Sequence, residues 1–396
     1  MNYSDQVVIV SSLRTPIGAF NSSLSKLSAT QLGAIVIRGI LESTDFDIKL
    51  IDNVLMGNVL SAGLGQAPAR QAGIGAGLSN QTPCTTINKM CGSGMEAILM
   101  GMALIQSGQA EVLIGGGMES MSNVPYYLNK ARSGFHLGHG EITDGLIKDG
   151  LWDVYNDFHM GEAAELCADK FSITREAQDA FALSSYTKAQ KAIANHLFDD
   201  QIVSCDIKSS KSGKQITISE DEEPARANFE KFSQLSPVFT KNGTITAANA
   251  SSLNDGASAC LLMKASKANE LGLPILANIT GLSRAAHDPK WFSTAPIVGI
   301  KKLLSESKMT SNDIQLFEIN EAFSAISLSI EKELKLNPSH VNVHGGAVAL
   351  GHPIGASGAR ILCTLVHALK SHDKSTGIAS CCIGGGEATS IMVERV

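Results

Sequence analysis

The sequence lacks any block of lysine or arginine residues. Its 32 basic residues are outnumbered by 38 acidic ones, which gives a formal net charge of −6. A general nucleic-acid-binding role is therefore disfavoured, since proteins of that class concentrate positive charge on one surface or segment. A few local basic groups could still hold an anionic ligand.

The sequence also lacks long apolar runs and a basic amino-terminal stretch. No segment approaches the roughly 18 consecutive apolar residues of a membrane span, and the first apolar run covers only residues 7–10, as expected of a strand. The eight cysteines form no CxxC pair suited to zinc, and without an export signal they are expected to be reduced. We therefore expect a cytoplasmic protein.

No GxGxxG motif follows the first predicted strand, so dinucleotide binding is only weakly supported. What the sequence does contain is 44% hydrophobic residues, 18% charged residues and 37 glycines, which together indicate a compact, soluble protein. Its 396 residues suggest two or three domains. Predicted strands alternate with predicted helices, a pattern typical of an α/β fold with mixed or parallel sheets.

The second half of the chain repeats the pattern of the first. Three pairs of segments share the same apolar pattern: residues 51–58 with 314–320, 93–107 with 355–369, and 112–117 with 377–386. We therefore predict an internal duplication. Two related halves packed face to face would bring the turns at Cys91 and His352 together at a pseudo-twofold axis.

The segment between the halves differs in character. Its loops, helical stretches and polar charged run at 208–226 indicate an inserted cover over the site. The predicted domains are an N-terminal half at 1–120, an inserted loop domain at 121–248, a segment at 249–271 that completes the first half, and a C-terminal half at 272–396.

Cys91 lies where a loop meets a helix, in the string Asn-Lys-Met-Cys-Gly-Ser-Gly at 88–94. The positive end of the helix dipole favours a thiolate there, and the glycines let a substrate approach the backbone. An inert buried cysteine is the alternative. His352, in the equivalent turn of the second half, is suited to take the thiol proton near neutral pH, unless it merely caps the turn.

A second thiol precedes the glycine run at 384–386. Cys381 and Cys382 are adjacent, and because a strand alternates its side chains between two faces, only one of them can face the site. The residues alone do not decide which one. Such a thiolate could abstract a proton from the carbon beside a thioester. The glycines could equally cradle a phosphate or form a tight turn.

Ordered motifs along almost the whole chain resemble those of the thiolases. They are Arg-Thr-Pro-Ile-Gly at 14–18, the Cys91 string at 88–94, His-Met-Gly at 159–161, Asn-Ala-Ser-Ser-Leu-Asn-Asp-Gly at 249–256, Asn-Glu-Ala-Phe at 320–323, Gly-His-Pro-Ile-Gly at 351–355 and Cys-Ile-Gly-Gly-Gly at 382–386. The resemblance implies a thiolase-like fold, with two duplicated α/β halves, mixed five-stranded sheets in a layered α-β-α-β-α core, and an inserted loop domain.

The resemblance also implies a role for each matching residue. Cys91 would be the nucleophile that takes the acyl group, His352 the base that activates it, and Cys382 the acid/base that moves the α-carbon proton. Asn320, through a water, would form one oxyanion site with His352. The backbone N–H groups of Cys91 and Gly384 would form the other, and each such donor typically lowers the barrier by about 3 kcal/mol.

Further matching positions imply a tunnel for the pantetheine arm of coenzyme A, lined by Leu151, His159, Met160, Phe239, Ala247, Ser251, Ala322 and Phe323. Thiolases often place an arginine directly after the proline of an acidic stretch, against the adenine. Here an alanine intervenes between Pro224 and Arg226, so the adenine contact that the resemblance implies falls to an arginine one position later in the chain.

The implied activity is the reversible condensation of two acetyl-CoA into acetoacetyl-CoA and CoA through an acetyl-cysteine, with ping-pong kinetics and no metal or redox cofactor. The Lys89-Met90 and His159-Met160 pairs resemble short-chain thiolases. The alternatives are a β-oxidation thiolase acting on longer 3-ketoacyl-CoA, a carrier-protein-dependent condensing enzyme and a non-catalytic acyl-CoA-binding protein. We also expect a homo-oligomer, a dimer or a tetramer, with residues 124–140 as a tetramerisation arm.

Overall fold

The computed structural model describes residues 6–208 and 213–396. Residues 1–5, and residues 209–212 within the predicted polar segment, lie outside the described residues. The strands are β1 Val7–Arg14, β2 Gly18–Ala19, β3 Asn53–Gly57, β4 Cys84–Ile87, β5 Val112–Ser120, β6 Tyr126–Tyr127, β7 Thr143–Asp144, β8 Trp152–Asp153, β9 Phe158–His159, β10 Cys205–Lys208, β11 Gln215–Ile218, β12 Asn254–Lys264, β13 Ala277–Ala286, β14 Leu316–Ile319, β15 Thr376–Ile383 and β16 Glu387–Arg395. The α-helices are α1 Ala29–Thr44, α2 Pro68–Gly75, α3 Ser93–Gln106, α4 Met160–Phe171, α5 Arg175–Ala194, α6 Glu223–Arg226, α7 Ala265–Glu270, α8 Ala295–Glu306, α9 Ser324–Leu334, α10 Ala347–Leu350 and α11 Ile354–Ser371.

The strands of both halves form one continuous sheet. In the first half the order is β4-β3-β5-β12-β1, with parallel pairing on both sides of β3 and antiparallel pairing on both sides of β12. In the second half the order is β14-β15-β16-β13, parallel between the first two strands and antiparallel beyond them. The repeated order and directions agree with the predicted duplication. Two residue pairs between β1 and β13 join the halves.

The second half differs from the predicted five strands per sheet. Where β4 pairs with β3 in the first half, the second half has only an isolated parallel bridge between Phe317 and Val341. Residues Pro338–His340 form a 3₁₀ turn, and Asn342 has a φ of +45°. Only Val341, between this turn and Asn342, has an extended backbone. A single bridge therefore takes the place of a fifth strand.

Helices pack on the outer face of each half of the sheet and also between the two halves. The apolar helices α3 and α11 share one buried cluster with strands of both halves. Helices α1 and α2 pack on the outer face of the first half, and α8 and α9 on the outer face of the second. The predicted α-β-α-β-α layering is therefore confirmed. Within the described ranges, no helix combines the length and apolar character needed to cross a membrane.

The two central helices cross at unusually short range. A Cβ on Gly94 of α3 would lie 2.9 Å from the backbone nitrogen of Ala359, and a Cβ on Gly358 of α11 would lie 2.6 Å from that of Met95. A larger residue at either glycine would therefore push the helices apart. Because both contacts lie within the first two turns of the helices, the amino-terminal ends of α3 and α11, and the loops before them, are held side by side.

A buried ion pair ties the predicted inserted domain to the first half. Arg14 at the end of β1 binds both carboxylate oxygens of Asp221 at 2.7 and 2.8 Å, and its Nε donates to Gln201 at 2.8 Å. Both charged side chains are fully buried. A buried arginine that loses its carboxylate retains the full cost of its desolvation.

We therefore expect Asp221→Ala to lower the free energy of unfolding by about 3–5 kcal/mol in urea denaturation. The matched control is Asp200→Ala, which removes the carboxylate of an exposed pair with Lys370 and should cost less than about 1 kcal/mol. Equal costs for the two variants would contradict a structural role of the buried pair.

Candidate active site

The turn that carries Cys91 is fixed by its own polar groups. The Lys89 N–H donates to Ser93 Oγ at 2.8 Å, and this hydroxyl donates to the Met90 carbonyl at 2.6 Å. Met90 has a φ of +46°, a conformation held by these bonds. A Cβ on Gly92 would lie 2.4 Å from Ile383 Cδ1. The nucleophile candidate is therefore packed directly against the end of β15.

His352 is held in the equivalent turn before α11. Its backbone N–H donates to Asn254 Oδ1 at 2.9 Å, and its Nδ1 lies 2.6 Å from Ser357 Oγ. The single proton of that hydroxyl is donated to the Pro353 carbonyl at 2.9 Å, so the oxygen accepts from Nδ1–H. Among the described residues, Nε2 has no hydrogen-bond partner. Its lone pair is therefore available to a substrate or a thiol.

The two adjacent cysteines of β15 face opposite sides. The Cys381 thiol lies in the central cluster and donates to the Cys91 carbonyl at 3.2 Å. The Cys382 sulfur lies on the other face and accepts from Asn320 Nδ2 at 3.8 Å. Strand alternation thus places Cys382 beside Asn320, whereas the Cys381 thiol bonds to the backbone of the Cys91 turn.

Burial sets the protonation states of these groups. Burial, together with the nearby Cys382, raises the pKa of the Cys91 thiol to about 12, against opposing hydrogen bonds from the N–H groups of Gly384 and of Cys91 itself. Burial also raises the pKa of Cys382 to about 11, and burial and the Arg360 charge lower the pKa of His352 to about 3. Burial therefore opposes the thiolate that the amino-terminal end of the helix favours, and with these pKa values all three groups are neutral at pH 7.

A largely apolar cavity of about 430 Å³ opens onto this cluster. Cys91, His352 and Gly384 line it, and so do the predicted pantetheine residues Leu151, His159, Met160, Phe239, Ala247, Ser251, Ala322 and Phe323. Cys382 and Asn320 are fully buried and do not line it. Arg226 does not line it either: its half-exposed side chain lies 3.8 Å from Glu223.

His159 is fixed in the cavity wall by a hydrogen bond and a ring contact. It caps α4, with Nδ1 accepting from the Gly161 N–H at 3.0 Å, and its ring stacks on Phe239 with centroids 4.8 Å apart. Burial lowers its pKa. Since Nδ1 is an acceptor, the neutral ring carries its proton on Nε2 and is a hydrogen-bond donor.

Several residues of the site were not anticipated. Ser357, which orients His352, lies five residues after it, and a hydroxyl this close in sequence at the start of a helix was the available signal. Asn254 lies in a quoted motif without an assigned role. The additional cavity residue Met90 lies in the Cys91 string without an assigned cavity contact, whereas Met121 and Phe292 had no signal, because they come from separate segments. Within residues 6–208 and 213–396, no group of three or more His, Cys, Asp or Glu side chains is arranged to hold a metal ion.

The chain is similar to known proteins over nearly its whole length. Family models of the thiolase N-terminal and C-terminal domains match residues 7–266 and 273–395. An acetyl-CoA acetyltransferase of Schizosaccharomyces pombe is 49% identical over 99% of each chain, and a mitochondrial one of Xenopus tropicalis is 49% identical over 99% of this chain and 92% of its own. The crystal structure of a thiolase from Ascaris suum in complex with coenzyme A superposes with a TM-score of 0.93, at 43% identity, and the match covers 99% of this chain and 100% of that one.

Ser357→Ala removes the acceptor that holds the Nδ1–H tautomer of His352. We expect kcat for acetyl transfer to fall about tenfold with little change in KM, because the base is misoriented while the cavity wall is intact. Ser371→Ala, at the other end of α11, is the matched control and should leave steady-state kinetics unchanged. A loss confined to KM would contradict the orienting role.

The neutral resting states predict a flat pH profile. Because the pKa of Cys91 is about 12 and that of His352 about 3, the rate of Cys91 acetylation should vary little between about pH 5 and pH 8. The buried carboxyl of Glu119, whose pKa burial raises to about 7, could add an inflection, which Glu119→Gln would remove. A bell-shaped profile that persists in this variant would indicate a thiolate–imidazolium pair instead. Rapid-quench mass spectrometry gives the rate.

Proposed function

The chain belongs to the thiolase family, and we propose that it catalyses the reversible Claisen condensation of two acetyl-CoA to acetoacetyl-CoA and CoA. It is an acyltransferase. One observation carries the proposal: the Cys91 thiol and the neutral His352 imidazole, one from each half, line the same apolar cavity, and the buried Cys382 thiol lies close enough to Cys91 to raise its pKa. The similar acetyl-CoA acetyltransferase of Schizosaccharomyces pombe and the similar thiolase solved in complex with coenzyme A support the acetyl and coenzyme A part of the proposal.

The proposed chemistry is written most simply in the thiolytic direction, from the resting protonation states. The Cys91 sulfur attacks the ketone carbon of acetoacetyl-CoA while its proton passes to His352 Nε2. The backbone N–H groups of Cys91 and Gly384 stabilise the oxyanion. The bond between the two acetyl units then breaks, and the Cys382 thiol protonates the carbon of the departing acetyl-CoA. Acetyl-Cys91, a Cys382 thiolate and an imidazolium are left.

The second half-reaction restores the starting state. The Cys382 thiolate takes the proton of an incoming CoA thiol, and the CoA sulfur attacks the acetyl carbonyl on Cys91. The Cys91 thiolate leaves and takes the proton of His352. All three groups are neutral again, and condensation is the reverse sequence. The Asn320 amide, which contacts the Cys382 sulfur, stabilises that thiolate between the steps.

Groups within the chain supply every proton transfer in this sequence, and we therefore propose that turnover needs no metal or redox cofactor.

A cytoplasmic location is likewise a proposal, since the relatives include a mitochondrial form. Fractionation of cells that express the chain would test it. For Arg226, we propose that its half-exposed side chain moves towards the cavity mouth when coenzyme A binds and there contacts the adenine.

The covalent intermediate gives the most direct test. After brief exposure to acetyl-CoA, intact-mass and peptide analysis should find one acetyl group on Cys91, and Cys91→Ala should lose on the order of 10⁴-fold or more in kcat. Cys84→Ala, which removes the other partly exposed thiol, is the matched control and should keep its activity. A strong preference for longer 3-ketoacyl-CoA would instead favour the β-oxidation alternative.

We further propose a homotetramer assembled through the arm at 124–140. The arm and the residues after it expose large apolar side chains, namely Tyr126, Leu128, Phe135, Leu137 and Ile142. Exposed large apolar side chains concentrated in one short segment are typical of an interface.

Leu137→Asp places a charge in that apolar surface and should shift the molar mass in light scattering from tetramer to dimer. Val298→Asp, at an exposed apolar residue of α8, is the control and should leave the mass unchanged. A wild-type dimer, or a variant that stays tetrameric, would contradict the role of the arm.

A further inference from the structure

Lys89 is built into the turn that presents Cys91. Its N–H donates to Ser93 Oγ, and its carbonyl accepts from the Gly92 N–H at 3.0 Å. Its Nζ pairs with Glu387 Oε2 of the second half, and the two side chains are only 23% and 38% exposed. The reaction sequence proposed above uses neither residue.

Glu387 is equally tied to the opposite turn. It is the first residue of β16 and pairs across the ladder with Ile383, so the three glycines 384–386 form the connection between them. Gly385 and Gly386 have φ values of +95° and +83°. A Cβ on Gly386 would lie 2.6 Å from the His287 carbonyl oxygen. The turn that supplies the Gly384 N–H is therefore anchored at its far end by Glu387.

The two turns must keep a fixed separation. The N–H groups of Cys91 and Gly384 belong to different halves, yet both lie near enough to the Cys91 sulfur to lower the pKa of its thiol. On the buried side the turns meet through Gly92 against Ile383 and through the Cys381 thiol on the Cys91 carbonyl. Lys89 and Glu387 meet at the partly exposed side. The turns are thus tied on both sides of the reacting sulfur.

We propose that the Lys89–Glu387 ion pair is a positioning element, which sets the distance between the two N–H donors that stabilise the oxyanion on each acyl transfer. This inference rests on the proposed function. Neither side chain touches the reacting atoms. Loss of the ion pair would allow the distance between the two turns to vary. An oxyanion-hole donor that moves out of reach lowers kcat by up to about 10²–10³. Because the cavity wall that binds coenzyme A is formed by other residues, KM would be unaffected.

The test is a double-mutant cycle of Lys89→Met, Glu387→Gln and the combined variant, assayed by thiolysis of acetoacetyl-CoA. Each single variant should lower kcat about tenfold with KM within about twofold, and the combined variant should be no slower than the singles. Lys267→Met removes the lysine of a partly exposed ion pair remote from the cavity and should leave kcat unchanged. Thermal melting checks that each variant is folded.

The possible outcomes separate this inference from its premise. If Glu387→Gln left kcat unchanged or raised it, Lys89 would act by its charge on the reaction, and a positioning role would be overturned. Additive losses in the combined variant, or losses in KM alone, would overturn it as well. If the wild type itself did not cleave acetoacetyl-CoA, the proposed function would fail and the inference with it. As a second measurement, raising the ionic strength should lower kcat of the wild type but not of Lys89→Met, because salt screens a partly exposed pair.

Discussion

The arrangement of the site depends on how closely helices α3 and α11 cross. Gly94 and Gly358 leave no room for a side chain between the two backbones, and the contact lies within the first two turns of each helix. A helix is a rigid element, so fixing the crossing fixes both amino-terminal ends. Cys91 and His352 each lie within three residues of such an end. The close contact at the two glycines therefore fixes the positions of these two reacting groups.

The same burial that positions these groups also keeps them neutral. Desolvation raises the pKa of both thiols and lowers that of His352. A neutral cluster costs little to bury, because an uncompensated ion in an apolar site would be strongly destabilising. Charge is then generated only as protons move between groups during the reaction. The Ser357 hydroxyl leaves the Nε2 lone pair open to receive the first proton.

Much of the fold followed from patterns along the chain. The apolar segment after Cys91 and its counterpart after His352 predicted two buried helices, and these are α3 and α11. The paired segments predicted the duplication, which the strand order reproduces. The fifth strand of the second half was wrongly expected, because the shape of residues 338–342 depends on local turns rather than on periodicity. The proposed domain boundaries and the roles of the individual site residues remain predictions.

The sequence by itself determined which chemical groups are present and in which motifs, because residue type and spacing survive without any coordinates. It also determined that the two halves are alike. Only the tertiary structure decided which of Cys381 and Cys382 faces Asn320, since alternation leaves the face undefined until the strand is placed in a sheet. It alone decided the protonation states and the meeting of Lys89 with Glu387, because desolvation and contacts between residues 298 positions apart depend on what surrounds each group in space.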